Sequence, residues 1–95
     1  MSIVAVFEFP GEPVEKYEKV FEIGGSAITD QPRRSHHVCY QTADGFVVID
    51  VWDDEESFAA FGEIIGPATA AAGVEAKPMV FPVVGTISQT GVRGH

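Results

Sequence analysis

The apolar positions at the start of the chain are typical of a β-strand. Residues 3–9 read Ile-Val-Ala-Val-Phe-Glu-Phe, and Pro10-Gly11 follows them. β-branched and aromatic residues favour strands, and a Pro-Gly pair interrupts them. We therefore predict a first strand over residues 3–9.

The next segment has the three-and-four spacing of an amphipathic helix. Its apolar face consists of Val14, Tyr17, Val20, Phe21 and Gly24. Pro13 suits the first turn of a helix, and Gly24-Gly25 suits its end. The spacing predicts a helix from about Pro13 to Gly24, followed by a loop over residues 24–34.

Two extended segments, residues 36–43 and 46–53, lie on either side of Asp44-Gly45. An Asp-Gly pair between alternating segments favours a two-residue hairpin turn in which both turn residues have positive φ. Such a turn pairs residue 41 with 48, 39 with 50 and 37 with 52.

The acidic residues 53–56 predict the start of a second helix that is capped by Asp53 or Asp54. Phe58, Phe61 and Ile65 form its apolar face, and Gly66-Pro67 predicts its end, with a short Ala-rich turn extending to Gly73. A last strand is predicted from about Lys77 to Ile87. Residues 88–95 then form a tail that is either flexible or in contact with a partner chain.

The predicted element order is β-α-β-β-α-β. This order is typical of the ferredoxin-like α+β fold, an antiparallel sheet of four strands with both helices on one face. We expect one domain over residues 1–87 and a flexible tail over residues 88–95.

Alternation along the hairpin divides its side chains between the two faces of the sheet. One face carries Phe46 and the residues His37, Cys39, Gln41, Val48, Asp50 and Trp52. The other carries Val38, Tyr40, Val47, Ile49 and Val51. The second set is the more apolar, so we predict that it lies under the helices. The first set would then face the sheet of a second copy, around a cavity that binds a small molecule.

Composition and charge limit the partners. Among 95 residues there are 6 Lys and Arg, 14 Asp and Glu, and a formal net charge of −8, which disfavours nucleic acid and anionic membranes. No apolar segment approaches the roughly 20 residues of a membrane helix, and no secretory signal is apparent. The single cysteine, Cys39, excludes an internal disulfide. We expect a cytoplasmic homodimer, since a chain of this size is marginally stable alone.

Residues 45–61 carry a resemblance to a known family. They read Gly-Phe-Val-Val-Ile-Asp-Val-Trp-Asp-Asp-Glu-Glu-Ser-Phe-Ala-Ala-Phe. An apolar strand that ends in Trp, an acidic helix start and two aromatic residues resemble the dimeric α+β barrel proteins, above all the antibiotic-biosynthesis-monooxygenase-like branch. The resemblance implies the ferredoxin-like fold over residues 3–87 and a homodimer, but not one particular chemistry.

The family's best-understood activities do not transfer residue by residue. Its cofactor-independent monooxygenases use Asn, Trp and Tyr around an aromatic polyketide, and its haem-degrading members use Asn with a Trp and a His on the second helix. This chain has no asparagine, and Phe61 and Ala71 stand at the matching helix positions. We therefore expect neither haem degradation nor asparagine-dependent oxygenation, and no cofactor.

His37 and Asp50 are the candidate catalytic residues. They share one face of the hairpin within side-chain reach, and a carboxylate beside an imidazole suits abstraction of a proton from a carbon acid. The alternative is that Asp50 pairs with an arginine or a backbone group. His36 and His37 point to opposite faces, and no other ligand spacing is present, so we expect no metal site.

Further residues are candidates for binding the substrate. They are Trp52, Phe46, Cys39, Gln41, Tyr17 and Arg33. Each also has a structural interpretation: Trp52 would pack on the following helix, Tyr17 would be a core residue with a hydrated hydroxyl, and Cys39 would be a small buried residue. Arg33-Arg34 either guides an anionic substrate to the cavity or is a solvated pair.

Two functions are therefore compatible with the sequence. The first is a cofactor-independent enzyme, of monooxygenase, isomerase or lyase type, that acts on a small aromatic or carbonyl-bearing metabolite. The second is a non-catalytic module that binds a small molecule or serves only for dimerisation. A cavity too small for a ligand, with His37 and Asp50 each satisfied by neighbours, would favour the second.

Overall fold

Four antiparallel strands form the main sheet in a computed structural model, which describes residues 1–88 and 91–93. The elements are β1 (Ile3–Phe9), α1 (Glu15–Gly24), α2 (Ser26–Thr29), β2 (Arg34–Gln41), β3 (Phe46–Trp52), α3 (Glu55–Ala72), β4 (Pro78–Pro82), β5 (Thr86–Ser88) and β6 (Gly91–Arg93). The strand order of the main sheet is β2-β3-β1-β4. This topology confirms the predicted ferredoxin-like α+β fold; the short helix α2 lies in the segment that was predicted to be a loop.

The hydrophobic core lies between the sheet and the helices. Along β1, Ile3, Ala5, Phe7 and Phe9 are buried, as the period of two requires. From α1, Val20 is buried and Tyr17 and Phe21 pack beside it, so the predicted apolar face of this helix is confirmed. We call the side of the sheet that faces the helices the inner face, and the opposite side the outer face.

The assignment of the hairpin's two faces was wrong. Phe46, Val48, Asp50 and Trp52 are buried on the inner face, under the helices. Val38 and Tyr40 lie on the outer face with exposed fractions of 54% and 48%. The error has a physical cause. A face with a carboxylate and an imidazole counts as the more polar one by hydrophobicity alone, although Asp50 and His37 satisfy each other by a hydrogen bond. The predicted cavity between two sheets therefore gives way to one between sheet and helices.

The hairpin turn was also wrong in its length. Gln41 pairs with Phe46, Cys39 with Val48 and His37 with Asp50, so four residues rather than two connect the strands. Neither Asp44 nor Gly45 has positive φ. Gly45 is required for another reason: a Cβ atom there would collide with the carbonyl oxygen of Phe9. The register shift of two residues keeps each side chain on the same face and places His37 directly opposite Asp50.

Helix α3 continues through the proline at which we predicted its end. Asp54 caps the helix, because its Oδ1 accepts a hydrogen bond of 2.7 Å from the backbone N–H of Ser57, and this bond lowers the pKa of Asp54. Pro67 cannot donate a backbone hydrogen bond to the preceding turn. Packing compensates, since the next two residues, Ala68 and Thr69, are buried.

The C-terminal part differs from the single strand that we predicted. β4 ends at Pro82, where it pairs with Ile3, and a separate pair of short strands follows, Thr86–Ser88 with Gly91–Arg93. Residues 89, 90, 94 and 95 lie outside the described residues, so the flexibility of the tail stays a prediction. No helix in residues 1–88 and 91–93 has the length and apolarity needed to cross a membrane.

Candidate functional site

Three side chains on the inner side of the sheet form a hydrogen-bonded triad. Asp50 Oδ1 lies 2.5 Å from Nδ1 of His37, and Nε2 of the same ring lies 2.7 Å from the Tyr17 hydroxyl. The carboxyl group of Asp50 is buried, with 3% of its side chain exposed, whereas the His37 side chain is 25% exposed. The triad therefore runs from a buried carboxylate to a phenol near the protein surface.

Two local features of the fold hold the triad together. His37 and Asp50 are directly paired residues of β2 and β3, so the register of the hairpin alone brings them together. Tyr17 reaches them from α1, and its ring lies nearly parallel to the imidazole at a centroid distance of 5.9 Å. Phe21, one turn further along α1, packs edge-on against the same imidazole. The ring of His37 is thus fixed on both sides and at both nitrogens.

The bond to Asp50 assigns one proton of the ring, because a carboxylate accepts and Nδ1 must therefore donate. With Nδ1–H of a neutral imidazole donating to Asp50, Nε2 is the acceptor and the Tyr17 hydroxyl donates to it. Burial, and to a smaller extent electrostatic interaction with Cys39 and Asp50, raises the pKa of Tyr17, while the positive charge of Arg34 lowers it. The net shift is upward, so the phenol keeps its proton at neutral pH.

A small cavity lies beside the triad, between the sheet and the helices. Its polar lining residues include Tyr17, Arg34, His37 and Asp50. Its apolar lining comes from both the sheet and the helices and includes Phe9, Phe21, Phe46, Val48 and Phe61. We call it the inner cavity. It leaves about 40 Å³ open to the centre of a water molecule. That volume holds a few waters or one small polar group, since a single water needs roughly 10–15 Å³ on this measure.

A larger cavity adjoins it on the side of β4 and α3. It measures about 320 Å³ and is lined largely by apolar residues, among them Phe58, Gly62, Gly66, Ala70 and Pro78. We call it the outer cavity. Five residues line both cavities: Phe7, Ile65, Thr69, Val74 and Ala76. The inner cavity beside the triad therefore adjoins a space large enough for a small metabolite.

The two aromatic candidates lie in different surroundings. Phe46 is buried, stacks on Phe9 at a centroid distance of 4.6 Å and lines the inner cavity. Trp52 is 0% exposed and packs against Phe58 and Phe61 of α3. Trp52 therefore packs against the helix that follows it. It is not among the residues that line the inner cavity.

The remaining candidates lie outside the inner cavity. Cys39 is partly buried next to His37 on the inner face, and burial raises the pKa of its thiol, which disfavours a reactive thiolate. Gln41 is exposed at the end of β2. The side chain of Arg33 is 67% exposed, and its Nη1 lies 3.9 Å from Oδ2 of Asp53. The structure brings Tyr17, His37, Phe46 and Asp50 together, but not these three.

Arg34 is the residue of the site that sequence reasoning missed. It lines the inner cavity, where its Nη2 donates to the carbonyl oxygen of Ile28 at 2.8 Å. The sequence shows the pair Arg33-Arg34, but nothing in it indicates which of the two side chains points inward. Among residues 1–88 and 91–93, no group of three or more His, Cys, Asp or Glu side chains is arranged to hold a metal ion.

Comparison with known proteins supports the fold. No family model matches the chain, and no curated protein matches it. Several solved structures do, each at low sequence identity. A protein from Chloroflexus aurantiacus that carries the name of an antibiotic biosynthesis monooxygenase is 18% identical, covers 93% of this chain and 98% of its own, and has a TM-score of 0.67.

Two further structures show the same likeness. An alanine variant of SnoaB, a cofactor-independent oxygenase from Streptomyces nogalater, is 22% identical, with coverage of 93% and 96% and a TM-score of 0.62. A dimeric ferredoxin-like protein of unknown function from Thermobifida fusca is 17% identical, with coverage of 85% and 88% and a TM-score of 0.56. The chain therefore has the ferredoxin-like α+β fold of the antibiotic-biosynthesis-monooxygenase-like proteins, as the resemblance of residues 45–61 implied.

Proposed function

We propose that this protein is a cofactor-independent enzyme that removes a proton from carbon in a small aromatic or carbonyl-bearing metabolite. The observation that carries the proposal is the Tyr17–His37–Asp50 triad at the wall of the inner cavity. A buried carboxylate that orients an imidazole, which in turn accepts from a phenol, is an arrangement for moving protons. Oxygen transfer or isomerisation would follow from the carbanion that this step forms.

The triad assigns a different role to each residue. Both nitrogens of His37 already have partners, so this ring reaches the substrate only through the Tyr17 hydroxyl. As the phenol transfers its proton to His37 Nε2, its oxygen takes the proton from the substrate carbon, whose electron pair remains on the substrate. Asp50 stabilises the imidazolium that results. Tyr17 is then the catalytic residue that contacts substrate, and His37 acts through it.

The protein names among the similar structures favour oxygenation as the overall reaction. SnoaB is described as a cofactor-independent oxygenase. An enzyme that lets a substrate react with molecular oxygen without a cofactor needs that substrate to be electron-rich. Deprotonation of the substrate produces an electron-rich anion. The chain has no asparagine, so it would have to generate the anion with other residues, and the triad offers them.

The test is hydrogen exchange at carbon. Aryl ketones, phenols and cyclic diketones, each tested with and without a carboxyl group, should lose the NMR signals of their acidic C–H groups for at least one compound when incubated with the protein in D₂O under argon. The His37→Gln variant keeps the size of the side chain but cannot accept the proton in the same way, so exchange should fall by about a hundredfold or more. Exchange at an equal rate in the variant would contradict the proposed chemistry.

A non-catalytic role is the second candidate, and one observation favours it. The inner cavity is small, and His37 and Asp50 are each satisfied by neighbours, as in a purely structural hydrogen-bond network. A structural triad requires no substrate and no exchange at carbon. If no compound exchanges while His37→Gln lowers only stability, this second function is the correct one.

We also propose that a second copy of this chain covers the outer face. That face exposes Val38 at 54%, Phe81 at 50%, Tyr40 at 48% and Met79 at 43%, an apolar surface that monomers rarely leave in contact with water. The similar Thermobifida fusca protein is dimeric. A homodimer with the two outer faces in contact would bury these residues and leave each triad within its own subunit.

The dimer predicts a result in light scattering. The wild-type protein should elute with a mass of about twice 10.2 kDa, and Val38→Lys should elute as a monomer, because a lysine cannot be buried unpaired between two apolar sheets. Ile23→Lys is the matched control, since Ile23 is 43% exposed but lies on α1. A monomeric wild-type protein, or equal dissociation by both variants, would exclude this interface.

A further inference from the structure

Arg34 occupies an unusual position for an arginine in an acidic chain. Its guanidinium lines the inner cavity together with Tyr17, His37 and Asp50. One end of it, Nη2, donates to the carbonyl oxygens of Ile28 and Thr29 at 2.8 and 3.4 Å. These bonds hold the planar group at the C-terminal end of α2 and fix its orientation toward the cavity.

A β-bulge places the Arg34 side chain on the same face of the sheet as the triad. Arg34 pairs with Trp52 and His36 with Val51, so Ser35 is an additional residue in β2. Without the bulge, residues 34 and 37 would lie on opposite faces of the sheet, because side chains alternate. With it, Arg34 and His37 both point to the inner face, and Arg33 points to solvent. Bulges commonly redirect a side chain at a functional site.

In the part of the chain that the structure describes, the guanidinium of Arg34 has no acidic side chain as an ion-pair partner. None of the ion pairs within residues 1–88 and 91–93 includes Arg34, although the chain has 14 acidic residues. Its neighbours on the other side are the rings of Trp52 and Phe61, at 5.7 and 5.5 Å from the guanidinium carbon. A guanidinium has five N–H donors, and the two carbonyl bonds involve only Nη2.

A second donor nearby lacks an acceptor. The indole Nε1 of Trp52, the residue paired with Arg34, is buried without a hydrogen-bond partner within the described part of the chain. Buried donors without acceptors are costly and therefore rare. This end of the site thus has an excess of donors and of positive charge. Arg34 lines the inner cavity and Trp52 does not, so the guanidinium is the donor that an acidic ligand in this cavity would reach.

We propose that Arg34 binds a carboxylate of the substrate and so restricts the enzyme to carboxylic acids. The inference names the substrate class of the same site and rests on the proposed function. A carboxylate is planar and matches the fork of a guanidinium, and it is small enough for the inner cavity, while the rest of the molecule would extend toward the outer cavity. The same cation would stabilise the negative charge that forms when the substrate loses its proton to Tyr17.

The test compares a carboxylate with its neutral amide. Phenylacetate and phenylacetamide have the same ring and nearly the same shape, and their affinities can be measured by NMR titration at constant ionic strength. The wild-type protein should bind phenylacetate about tenfold more tightly than the amide. Arg34→Gln should abolish this preference. Arg33→Gln removes the same charge from the adjacent, exposed position and should retain the preference.

Several results would overturn the proposal. They are equal affinity of the wild-type protein for the two compounds, no detectable binding of phenylacetate, and an equal loss of preference in Arg33→Gln and Arg34→Gln. If Arg34→Gln does not fold, Arg34→Lys replaces it: the lysine keeps the charge but lacks the fork, so a several-fold weaker preference is expected, and an unchanged one would contradict the role of the guanidinium.

The outcome is separable from that of the proposed function. The preference is a binding measurement and does not depend on turnover. A carboxylate preference without any exchange at carbon would leave Arg34 as an anion-binding residue and reject the enzyme. Exchange at carbon without the preference would retain the enzyme and reject the role of Arg34.

Discussion

Tyr17→Phe should reduce the rate of exchange at carbon by about 10²- to 10⁴-fold, the range of a general acid–base group. The substitution removes one oxygen atom, which takes the proton from the substrate in the proposed mechanism. The aromatic ring stays in place, because it packs against Phe21 and Phe46 with centroid distances of 4.9 and 6.0 Å. The loss should therefore appear in turnover rather than in stability, and NMR exchange rates measure it.

The control for this prediction is Tyr40→Phe. Tyr40 lies on the outer face and is 48% exposed, far from the inner cavity. Both variants lose a phenolic hydroxyl, but only Tyr17 donates to His37. Equal exchange rates in Tyr17→Phe and the wild-type protein would show that Tyr17 has no part in the reaction.

Because the pKa of Tyr17 is raised, Tyr17→Phe should also change how the free energy of unfolding depends on pH at high pH. Burial favours the neutral phenol, so the unfolded state ionises before the folded state does. The contribution of this group to stability is complete below pH 10, the usual value, and is lost as the pH rises above it. Wild-type protein should therefore lose stability above pH 10 more steeply than Tyr17→Phe, which urea denaturation at increasing pH would measure.

Trp52→Ala should lower the free energy of unfolding by about 3–5 kcal/mol, the usual cost of removing a large aromatic residue from a core. Trp52 is 0% exposed and contacts Phe58 and Phe61 of α3 together with the guanidinium of Arg34. Domains of this size have a total stability on the order of 5–14 kcal/mol, so the variant would lose a substantial fraction of the total. Urea denaturation at a fixed protein concentration measures the change.

Trp52→Phe is the informative companion variant. Among the described residues the indole Nε1 has no hydrogen-bond partner, so the loss of this N–H costs little, and the phenylalanine ring keeps much of the packing against α3. We expect a markedly smaller loss of stability than with alanine. A comparable loss in both variants would indicate that the indole group itself makes an essential contact.

The same pair of variants tests the earlier hypothesis that Trp52 holds the substrate. If Trp52 acts only through packing, Trp52→Phe should bind phenylacetate as the wild-type protein does. If the indole ring contacts the ligand, affinity should fall while stability is retained. The position of Trp52 under α3, behind Arg34, supports the first result.

The local patterns of the sequence determined the order of elements and therefore the fold. The period of two in β1, the three-and-four spacing of α1 and the acidic start of α3 each depend on neighbouring residues only, and each is present in the structure. They also placed His37 and Asp50 on one face, because alternation along two paired strands does not depend on the tertiary structure. Tyr17 was recognised as an inward residue, but not as the partner of His37.

Tertiary structure alone decided which face of the sheet the helices cover, and this changed the location of the site. The sequence ranks faces by hydrophobicity, whereas a carboxylate and an imidazole that bond to each other offset part of the cost of burial, as the buried Asp50 and the half-buried His37 do. It also decided which arginine enters the cavity. A single additional residue at Ser35 reverses the alternation of β2, and no composition or spacing signals such a bulge, since it depends on how two strands meet.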